Sequence, residues 1–351
     1  MLEIGASFSL FILYFVFYHW ILKRIIDHKV ICLLVSLVFA LPVSNMESAM
    51  FIFEIYFAGI YLLFYLISHQ LSFLAVSRKL MSVMIVLSLL ISSLAVIYGE
   101  KNMKNIQQTV YDVYTDKALS KDYSLVMISD LHYPATMNAS KLKQLVKRIS
   151  HDAPDLIVLC GDIVDEHTDK KEIKEVFAIL GSLSKQSQLY YVFGNHDTGN
   201  YACHHEITFD WLKTVIEKQH ITVLVDESIC FHQEIMLTGR LDVSFAQRKP
   251  LEQVLLSEDN NHYQIVLDHR PEELSENALY DVDLHLSGHT HAGQIFPLYF
   301  FYEWLHVNEL NYGKKLYQQM TAINSSGAGG WGFPVRTEHH SEYVLVRIHK
   351  K

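Results

Sequence analysis

The sequence has little cysteine and no surplus of basic charge. Four cysteines among 351 residues give no sign of a disulfide framework, and only Cys203 and Cys230 lie where a pair could form outside the cytoplasm. The 29 lysines and arginines are outnumbered by 38 aspartates and glutamates, which gives a formal net charge of -9. Because nucleic-acid phosphates are bound through basic surfaces, we expect no nucleic-acid partner.

Two well-known site motifs are also missing. The sequence contains no His-Glu-x-x-His pattern, which disfavours a metallopeptidase. The glycine-rich segment Gly327–Gly332 lacks the lysine and the following helix of a phosphate-binding P-loop. Phe333 and Pro334 after it, followed by the apolar run EYVLVRI, predict a turn that leads into a last strand.

Half of all residues are hydrophobic, and the excess is concentrated before residue 100. Four segments approach the roughly 17 to 25 apolar residues that one membrane crossing requires; they are Leu2 to Leu22, Val30 to Met46, Ser48 to Ser68 and Leu80 to Tyr98. Glu3 stands where a cleavable signal peptide carries basic residues, so we expect the first segment to be retained. Residues 1–100 are therefore predicted to be an all-α transmembrane region of about four helices.

Basic residues in the short loops predict the orientation of these helices, because lysine and arginine collect on the cytoplasmic side. They lie between the first and second segments and between the third and fourth, at Lys23, Arg24, Lys29, Arg78 and Lys79. We therefore expect a multi-pass protein of the cell membrane whose chain after residue 98 lies outside the cytoplasm. Glu54, inside the third segment, is predicted to face the interior of the helix bundle.

After residue 122 one local pattern recurs, a short apolar run followed by a turn with polar side chains. The five turns are Asp130 to His132, Gly161 to Asp165, Gly194 to Asp197, Asp268 to Pro271, and Gly288 to Gln294. Apolar runs of this length, rich in β-branched and aromatic residues, are typical of strands that are buried on both faces. We predict a juxtamembrane linker over 101–122 and a single catalytic domain over 123–351.

Helical stripes separate the first three of these strands. The first stripe comprises Leu142, Leu145, Val146 and Ile149, and the second comprises Ile173, Val176, Phe177 and Leu180. Alternating strands and helices predict an α/β sheet, in which ligands gather at the carboxyl ends of the strands. We therefore expect the five polar turns to lie close together.

The side chains that would meet there are suited to binding metal ions. They are Asp130, His132, Asp162, Asn195, His269, His289 and His291. Carboxylates, neutral imidazoles and an amide oxygen suit manganese, iron and zinc, and a carboxylate can bridge two ions. The set is large enough for two ions with positions left for water and substrate, and two adjacent ions are the usual arrangement for displacement at phosphorus.

In order along the chain, these motifs resemble the signature of the calcineurin-like metallophosphoesterases. The matching residues are Asp130-x-His132, Gly161-Asp162-x-x-Asp165, Gly194-Asn195-His196-Asp197, His269 and Gly288-His289-x-His291. The sequences GHTHAGQ and SSGAGGWGFPVR are similar to a membrane-anchored bacterial branch, and the likeness covers Ser124 to Ile348. It implies an α/β metallophosphoesterase fold, a four-layer sandwich of two mixed β-sheets flanked by helices, after the all-α transmembrane region.

The resemblance also implies a role for each residue of the motifs. One divalent ion would be held by Asp130, His132 and His291, the other by Asn195, His269 and His289, with Asp162 as the bridge. Manganese is the expected metal, with iron and zinc as alternatives. His196 would be the general acid that protonates the leaving oxygen, and Asp165 would orient its ring. Independently of the resemblance, Arg270 is predicted either to contact the substrate phosphate or to be an exposed structural arginine.

The sequence thus predicts a membrane-bound phosphoesterase or pyrophosphatase that acts by metal-bridging hydroxide on a lipid-linked or envelope substrate. The alternative is a catalytically silent metal-binding sensor or scaffold on the same fold, which the complete ligand set disfavours. His285 is predicted to be a packed or surface histidine, without a role in the site. The aromatic segment Leu298–Gly313 is predicted either to dock on lipid or bind a lipid-like substrate, or to form a packed lid.

Overall fold

The computed structural model describes residues 2–71, 77–198, 207–255 and 261–351. Two compact units are present. Unit 1 comprises Met1–Lys101 with Gly332–Thr337, and unit 2 comprises Asn102–Trp331 with Glu338–Lys351. The possible partners Cys203 and Cys230 cannot be compared, since Cys203 lies outside the described residues, while Cys230 is exposed and has a free thiol.

The described residues of unit 1 form the helices α1 (Leu2–Leu22), α2 (Lys29–Ala40), α3 (Ala49–Leu71) and most of α4 (Arg78–Lys104), which ends in the first residues of unit 2. Two segments, Ala49–Gln70 and Arg78–Lys104, are long and apolar enough to cross a membrane, and they indicate a membrane-associated protein. In the second predicted span, α2 is followed directly by a 3₁₀-helix, Leu41–Ser44, that contains Pro42. The apolar helix Lys29–Val43 is shorter than the roughly 17 to 25 residues of one crossing. The count of four spans stays a prediction.

Glu54 of α3 lies inside the helix cluster, as predicted for an acidic residue in an apolar helix. Its side chain is buried and accepts a hydrogen bond from the Tyr18 hydroxyl of α1. Tyr18 stacks on Phe57, which in turn stacks on Tyr61 of the same helix. This acid is therefore a packing contact between α1 and α3 within an aromatic cluster.

Unit 2 contains two six-stranded sheets. Sheet 1 has the order β1-β12-β2-β3-β4-β5, with β1 (Gln107–Thr115), β2 (Tyr123–Ile128), β3 (Leu156–Cys160), β4 (Gln188–Val192), β5 (Ile221–Val223) and β12 (Glu342–Lys350). Sheet 2 has the order β10-β11-β9-β8-β7-β6, with β6 (Glu227–Phe231), β7 (Ile235–Gly239), β8 (Tyr263–Leu267), β9 (Leu284–Ser287), β10 (Gly313–Tyr317) and β11 (Met320–Asn324). Each sheet contains both parallel and antiparallel pairs.

Helices cover the outer faces of both sheets. Three helices follow strands of sheet 1, α5 (Ala139–Asp152), α6 (Lys170–Gly181) and α7 (Phe209–Glu217), while α8 (Leu274–Asn277) packs on sheet 2 and α9 (Leu298–Leu305) follows the turn after β9. The predicted stripes of α5 and α6 are buried against sheet 1, while a second apolar cluster fills the space between the sheets. This arrangement of layers confirms the predicted sandwich of two mixed sheets flanked by helices.

The predicted linker over 101–122 is wrong in its central part. Residues 107–115 form β1, which pairs in parallel with β12 along its whole length. The strand was missed because its side chains are mostly exposed and polar, as is typical of an edge strand, so it lacks the apolar run of the buried strands. Residues 102–122 thus belong to unit 2.

His285 of β9 is buried on the outer side of sheet 2, beside Val266 and Ala322 on the neighbouring strands. Neither ring nitrogen has a hydrogen-bond partner in the described part of the chain. Burial, followed by the charges of Arg240 and Arg248, lowers the pKa of His285 to about 3. The ring is therefore an uncharged core residue at neutral pH.

We expect the His285→Leu variant to lose less stability in acid than the wild type. The unfolded chain takes up a proton at His285 below its ordinary pKa of about 6.5, and the folded chain does not until about pH 3. Folded-state stability is therefore lost as the pH falls through this window, by about 2 kcal/mol at pH 5. Denaturant unfolding of the full chain in detergent at neutral and acid pH measures the difference. A surface His151→Leu control should follow the wild type, and equal acid sensitivity of His285→Leu would contradict the prediction.

Candidate metal centre

Polar turns follow β2, β3 and β4 of sheet 1 and β8 and β9 of sheet 2, and backbone hydrogen bonds join them. In sheet 1, Asp130 N–H donates to Gly161 O (3.0 Å) and His132 N–H to Asp162 O (3.0 Å). The two sheets are connected where the backbone N–H of His289 donates to Asp130 Oδ1 at 2.8 Å. The five turns therefore meet at one end of the sandwich, as expected from the strand ends.

The first cluster of potential ligands comprises Asp130, His132 and His291. One donor atom from each lies within 4.8 Å of the others, and the first two residues are buried. All three have a left-handed backbone, with φ of 50°, 44° and 50°. Residues other than glycine rarely adopt this backbone conformation. Such strain persists where the surrounding structure enforces it, commonly at functional sites.

The second cluster comprises Asp162, His269 and His289, again with donor atoms within 4.8 Å of one another. Asp162 Oδ2 lies 3.0 Å from His269 Nε2 and 3.8 Å from His132 Nε2 of the first cluster. The same carboxylate oxygen thus faces a histidine from each cluster. This is the position that a bridging ligand between two ions would occupy.

Asn195 is buried in the turn after β4, next to Asp162. The backbone N–H of the following residue, His196, donates to Asp162 Oδ1 at 2.8 Å. On the preceding side, a Cβ on Gly194 would lie 2.2 Å from the same oxygen. The turn therefore brings Asn195 beside the shared carboxylate, and its role as a ligand stays a prediction.

The donors fit divalent cations. His132 is fully buried, and its Nε2 has no hydrogen-bond partner in the described residues. Its separation of 3.8 Å from Asp162 Oδ2 is too long for a hydrogen bond, while a cation with bonds of about 2.0 to 2.2 Å to nitrogen and oxygen can contact both atoms. Histidine and carboxylate together suit the transition metals named above.

The pKa values of His269 and His289 are shifted in opposite directions by their surroundings. Burial acts to raise the pKa of Asp162, but the charges of His269 and His132 outweigh it and hold that pKa well below its usual range. Burial likewise acts to lower the pKa of His269, and Asp162 raises it well above its usual value. Burial, then His269 and Arg270, lower the pKa of His289 to about 3. Asp162 thus favours the protonated form of His269, whereas His289 is neutral at physiological pH.

The predicted pairing of His196 with Asp165 is wrong in this structure. His196 Nδ1 contacts Glu166 Oε2 at 2.8 Å. The Asp165 carboxylate accepts hydrogen bonds from His167 N–H and the Thr168 hydroxyl, and its other oxygen lies 3.5 Å from His132 Nδ1. Asp165 is held by its own turn and faces His132, a candidate metal ligand, and the next residue along the chain supplies the carboxylate for His196.

Two further residues of the site were not found from the sequence. Glu166 is the partner of His196, and the indole ring of Trp331 lies 5.6 Å from the His196 ring, between centroids. The glycine-rich segment around Trp331 was interpreted only as a turn. Its placement beside the site follows from hydrogen bonds that join it to the β2 loop, from Gly329 N–H to Asp130 O and from Ala328 N–H to Ser129 O.

The buried Asp197 carboxylate stabilises the turns after β3 and β4, which carry several of the candidate ligands. Its carboxylate accepts hydrogen bonds from the backbone N–H groups of Asp162, Ile163, Val164 and Gly194, at 2.7 to 3.2 Å. It thereby fixes the turn after β3 against the turn after β4. Burial and then the Asp162 charge raise the pKa of Asp197 to about 6.

Arg270, predicted to contact substrate, directs its Nε towards the buried Asp242, at 3.0 Å from Oδ2. A second contact joins its Nη1 to Glu272 Oε1 at 3.5 Å. The side chain adjoins His269 in sequence and is partly exposed. A role in binding phosphate stays a prediction for this residue.

Two mixed sheets with two acid and histidine clusters at one end have the architecture of a metal-dependent hydrolase. Residues 123–293 match the family described as calcineurin-like phosphoesterase. The chain therefore contains a calcineurin-like metallophosphoesterase domain, and the resemblance drawn from its motifs is confirmed.

Curated relatives carry the same family name. An uncharacterized metallophosphoesterase of Campylobacter jejuni is 29% identical over 76% of this chain and 70% of its own length. An uncharacterized metallophosphoesterase of Helicobacter pylori is 30% identical over 67% of this chain and 62% of its own length. A protein of Danio rerio named transmembrane protein with metallophosphoesterase domain is 27% identical, with 74% of this chain and 62% of its own length covered. The chain thus spans about 62% to 70% of these relatives.

We expect the Gly288→Ala variant to bind metal more weakly. A Cβ at this position would lie 2.2 Å from Asp130 Oδ2 and 2.7 Å from Ser129 Oγ, so the Asp130 carboxylate would have to move. Displacing a ligand through its neighbours typically costs about 10-fold to 100-fold in affinity. Calorimetric titration of the metal-stripped protein measures the loss. The Gly59→Ala control, which meets no atom within 4 Å, should bind as the wild type does, and unchanged affinity of Gly288→Ala would contradict the prediction.

Proposed function

We propose that this protein hydrolyses a phosphoester or pyrophosphate bond of a lipid-linked or envelope substrate, at a two-metal site outside the cytoplasm. The position of Asp162 carries the proposal. Its Oδ2 faces His132 of one ligand cluster and His269 of the other, at 3.8 and 3.0 Å. A carboxylate shared between two acid and histidine clusters is the arrangement that holds two ions side by side.

The proposed ligands divide between the two ions by cluster. Asp130, His132 and His291 hold one ion, and Asn195, His269 and His289 hold the other. Manganese is the proposed metal, with iron and zinc as alternatives, since the ligands are carboxylate or amide oxygens and imidazole nitrogens. When bound, such a pair lowers the pKa of water and neutralises charge on the phosphoryl oxygens.

His196 is the proposed general acid. The contact of its Nδ1 with Glu166 Oε2 fixes the orientation of the ring, and a carboxylate at this distance accepts the Nδ1 proton. The remaining nitrogen, Nε2, is then the atom that passes a proton to the leaving oxygen. Trp331 limits the directions in which the ring can turn.

The proposed orientation has a multi-pass transmembrane region and a catalytic domain outside the cytoplasm. Asp27, in the loop after α1, forms an ion pair with Arg78 at the start of α4, at 2.7 Å. This contact supports a common location of the two basic loops at one end of unit 1. Basic loops favour the cytoplasmic side, which leaves the end of α4 at the opposite surface. The name of the Danio rerio relative supports the membrane location.

The proposal is tested with the full chain, purified in detergent, stripped of metal and reloaded with manganese. We expect metal-dependent hydrolysis of nitrophenyl phosphate esters, with a monoester, a diester and a pyrophosphate compared in parallel. A reporter fused after Lys351 gives the side of the membrane. Absence of metal-dependent turnover on all three substrates would overturn the enzymatic proposal, and a cytoplasmic reporter would overturn the orientation.

The substrate class is tested in cells. Lipid extracts and envelope precursors are compared between cells with the wild type and cells with the Asp162→Asn variant. We expect a phosphorylated lipid or precursor to accumulate in the variant. An unchanged profile would contradict a lipid-linked or envelope substrate while leaving the hydrolytic activity itself intact.

A further inference from the structure

Helix α9 exposes an apolar surface to solvent. None of its eight residues is buried, and Phe300 and Trp304, one turn apart, are 61% and 66% exposed. Phe301 and Leu305 form the adjacent row of the helix, and Val307 follows its end, all exposed. We call these five residues the aromatic surface. The side chains of this face are not covered by unit 2, and the predicted alternative of a packed lid stays a prediction.

Polar contacts on the other side of α9 hold the helix in place. The backbone N–H of Tyr299 donates to Glu338 Oε2 at 2.8 Å. Glu303 Oε1 accepts a hydrogen bond from Asn311 Nδ2 at 2.7 Å. Near the start of the helix, Gly293 leaves so little room that a Cβ would lie 2.5 Å from Tyr299 N. The helix is thus fixed against the turn that carries His291, with its aromatic side outward.

The start of α9 lies near Asn102, the first residue of unit 2 along the chain. Asn102, in the last turn of α4, donates from Nδ2 to His339 O at 2.5 Å. The His339 ring lies 4.5 Å from the Tyr299 ring, between centroids. All three residues belong to unit 2. The aromatic surface therefore begins close to the point where the chain leaves a helix of membrane-spanning length.

The composition of α9 favours one class of partner. Tryptophan and tyrosine are enriched at membrane–water interfaces, and helices that lie at this boundary carry tryptophan, phenylalanine and leucine on their apolar face. The helix has no lysine or arginine, and its single acid, Glu303, is engaged by Asn311. Binding would then depend on burial of apolar area, with little contribution from anionic headgroups. An acidic or basic protein partner has no matching charge here.

We propose that the aromatic surface docks on the bilayer that α4 crosses, inserting Phe300 and Trp304 at the headgroup boundary. Docking holds the turn that carries His291 at the depth of lipid phosphates. The substrate class that follows is a membrane lipid with a phosphoester or pyrophosphate headgroup, reached without leaving the bilayer. This part rests on the proposed function, whereas docking itself does not.

Docking is tested by fluorescence of the full chain in nanodiscs of phosphatidylcholine. The difference between the wild type and the Trp304→Phe variant isolates the signal of Trp304. We expect this signal to be quenched by a lipid with a doxyl group near the headgroup and protected from aqueous iodide. Quenching by iodide without quenching by the doxyl lipid would overturn the proposal. Protection from both quenchers would indicate a protein partner or a second copy, and would overturn it as well.

The role of docking in substrate access is tested with the double variant Phe300→Glu and Trp304→Glu. We expect hydrolysis of a phospholipid analogue in nanodiscs to fall about tenfold, because charged side chains at these positions oppose insertion. Hydrolysis of soluble nitrophenyl phosphate reports whether the site is intact. The matched control introduces the same charges at two exposed leucines outside the aromatic surface, as Leu279→Glu and Leu316→Glu. It should retain both activities.

The two proposals fail in different ways. If neither substrate is hydrolysed by the wild type, the proposed function fails while the Trp304 signal still decides docking. If both substrates are hydrolysed and the double variant loses neither activity, the link between docking and substrate fails.

The double variant is expected to lose hydrolysis of the phospholipid analogue equally on anionic and zwitterionic bilayers, since the aromatic surface has no basic residue. A requirement for anionic lipid would contradict the apolar mode of docking.

Discussion

The Asp162→Asn variant is expected to lose phosphoesterase activity by roughly a thousandfold or more, equivalent to several kcal/mol of transition-state stabilisation. Asp162 has a fully buried carboxylate, faces histidines of both ligand clusters, and accepts a hydrogen bond from His196 N–H. An asparagine keeps the size of the side chain but removes the negative charge and one oxygen. Neither cation would then be neutralised by a shared ligand.

The measurement combines activity with metal content. We expect the purified variant to lose at least one of two bound ions at a metal concentration that saturates the wild type. Asp116→Asn is the matched control, because its carboxylate lies at the surface in an ion pair with Lys351 and should affect neither quantity. Full metal content with unchanged turnover in Asp162→Asn would rule out the bridging role.

The His196→Ala variant is expected to lose activity by about 10²-fold to 10⁴-fold on an alkyl phosphoester, the usual contribution of a general acid. An alkoxide is a poor leaving group and requires a proton in the transition state. Nitrophenolate is a far weaker base, so the loss on the nitrophenyl ester should be much smaller. The ratio of kcat between the two substrates is the measurement.

An equal loss on both substrates would contradict the general-acid role and indicate that His196 binds the phosphate instead.

The neighbouring carboxylates provide a second comparison. We expect Glu166→Gln to lower kcat on the alkyl ester with little change in KM, because Glu166 contacts His196. Asp165→Asn should instead weaken metal binding, because Asp165 faces His132. The opposite result would restore the pairing predicted from the sequence.

Most of the fold followed from the sequence because its elements have strong local patterns. The buried strands are continuous apolar runs, and the predicted stripe of α5 comprises the four residues that are buried there. The motifs that end these strands are short and local, so their order along the chain was sufficient to indicate which turns meet. Burial on both faces leaves few alternatives for such strands.

The remaining features depend on contacts between distant segments. Asp130 and His132 adopt positive φ, which aspartate and histidine do more often than most residues, but the sequence does not show which positions of the turn take this conformation. Glu166, and not Asp165, contacts His196 because the His167 N–H and the Thr168 hydroxyl donate hydrogen bonds to the Asp165 carboxylate and hold it elsewhere. The edge strand β1 has no apolar run and is recognised only through its pairing with β12.

The pairing of β1 with β12 also affects how the protein is made. β1 follows α4 after only two residues, while β12 lies between β1 and β2 in the sheet yet is synthesised last among these strands. Pairing between distant segments carries a large loop-closure entropy and slows folding. During synthesis, we expect β1 to lie beside the membrane with an unpaired edge until residues 342–350 have been made. A chaperone would have to protect this edge during that time.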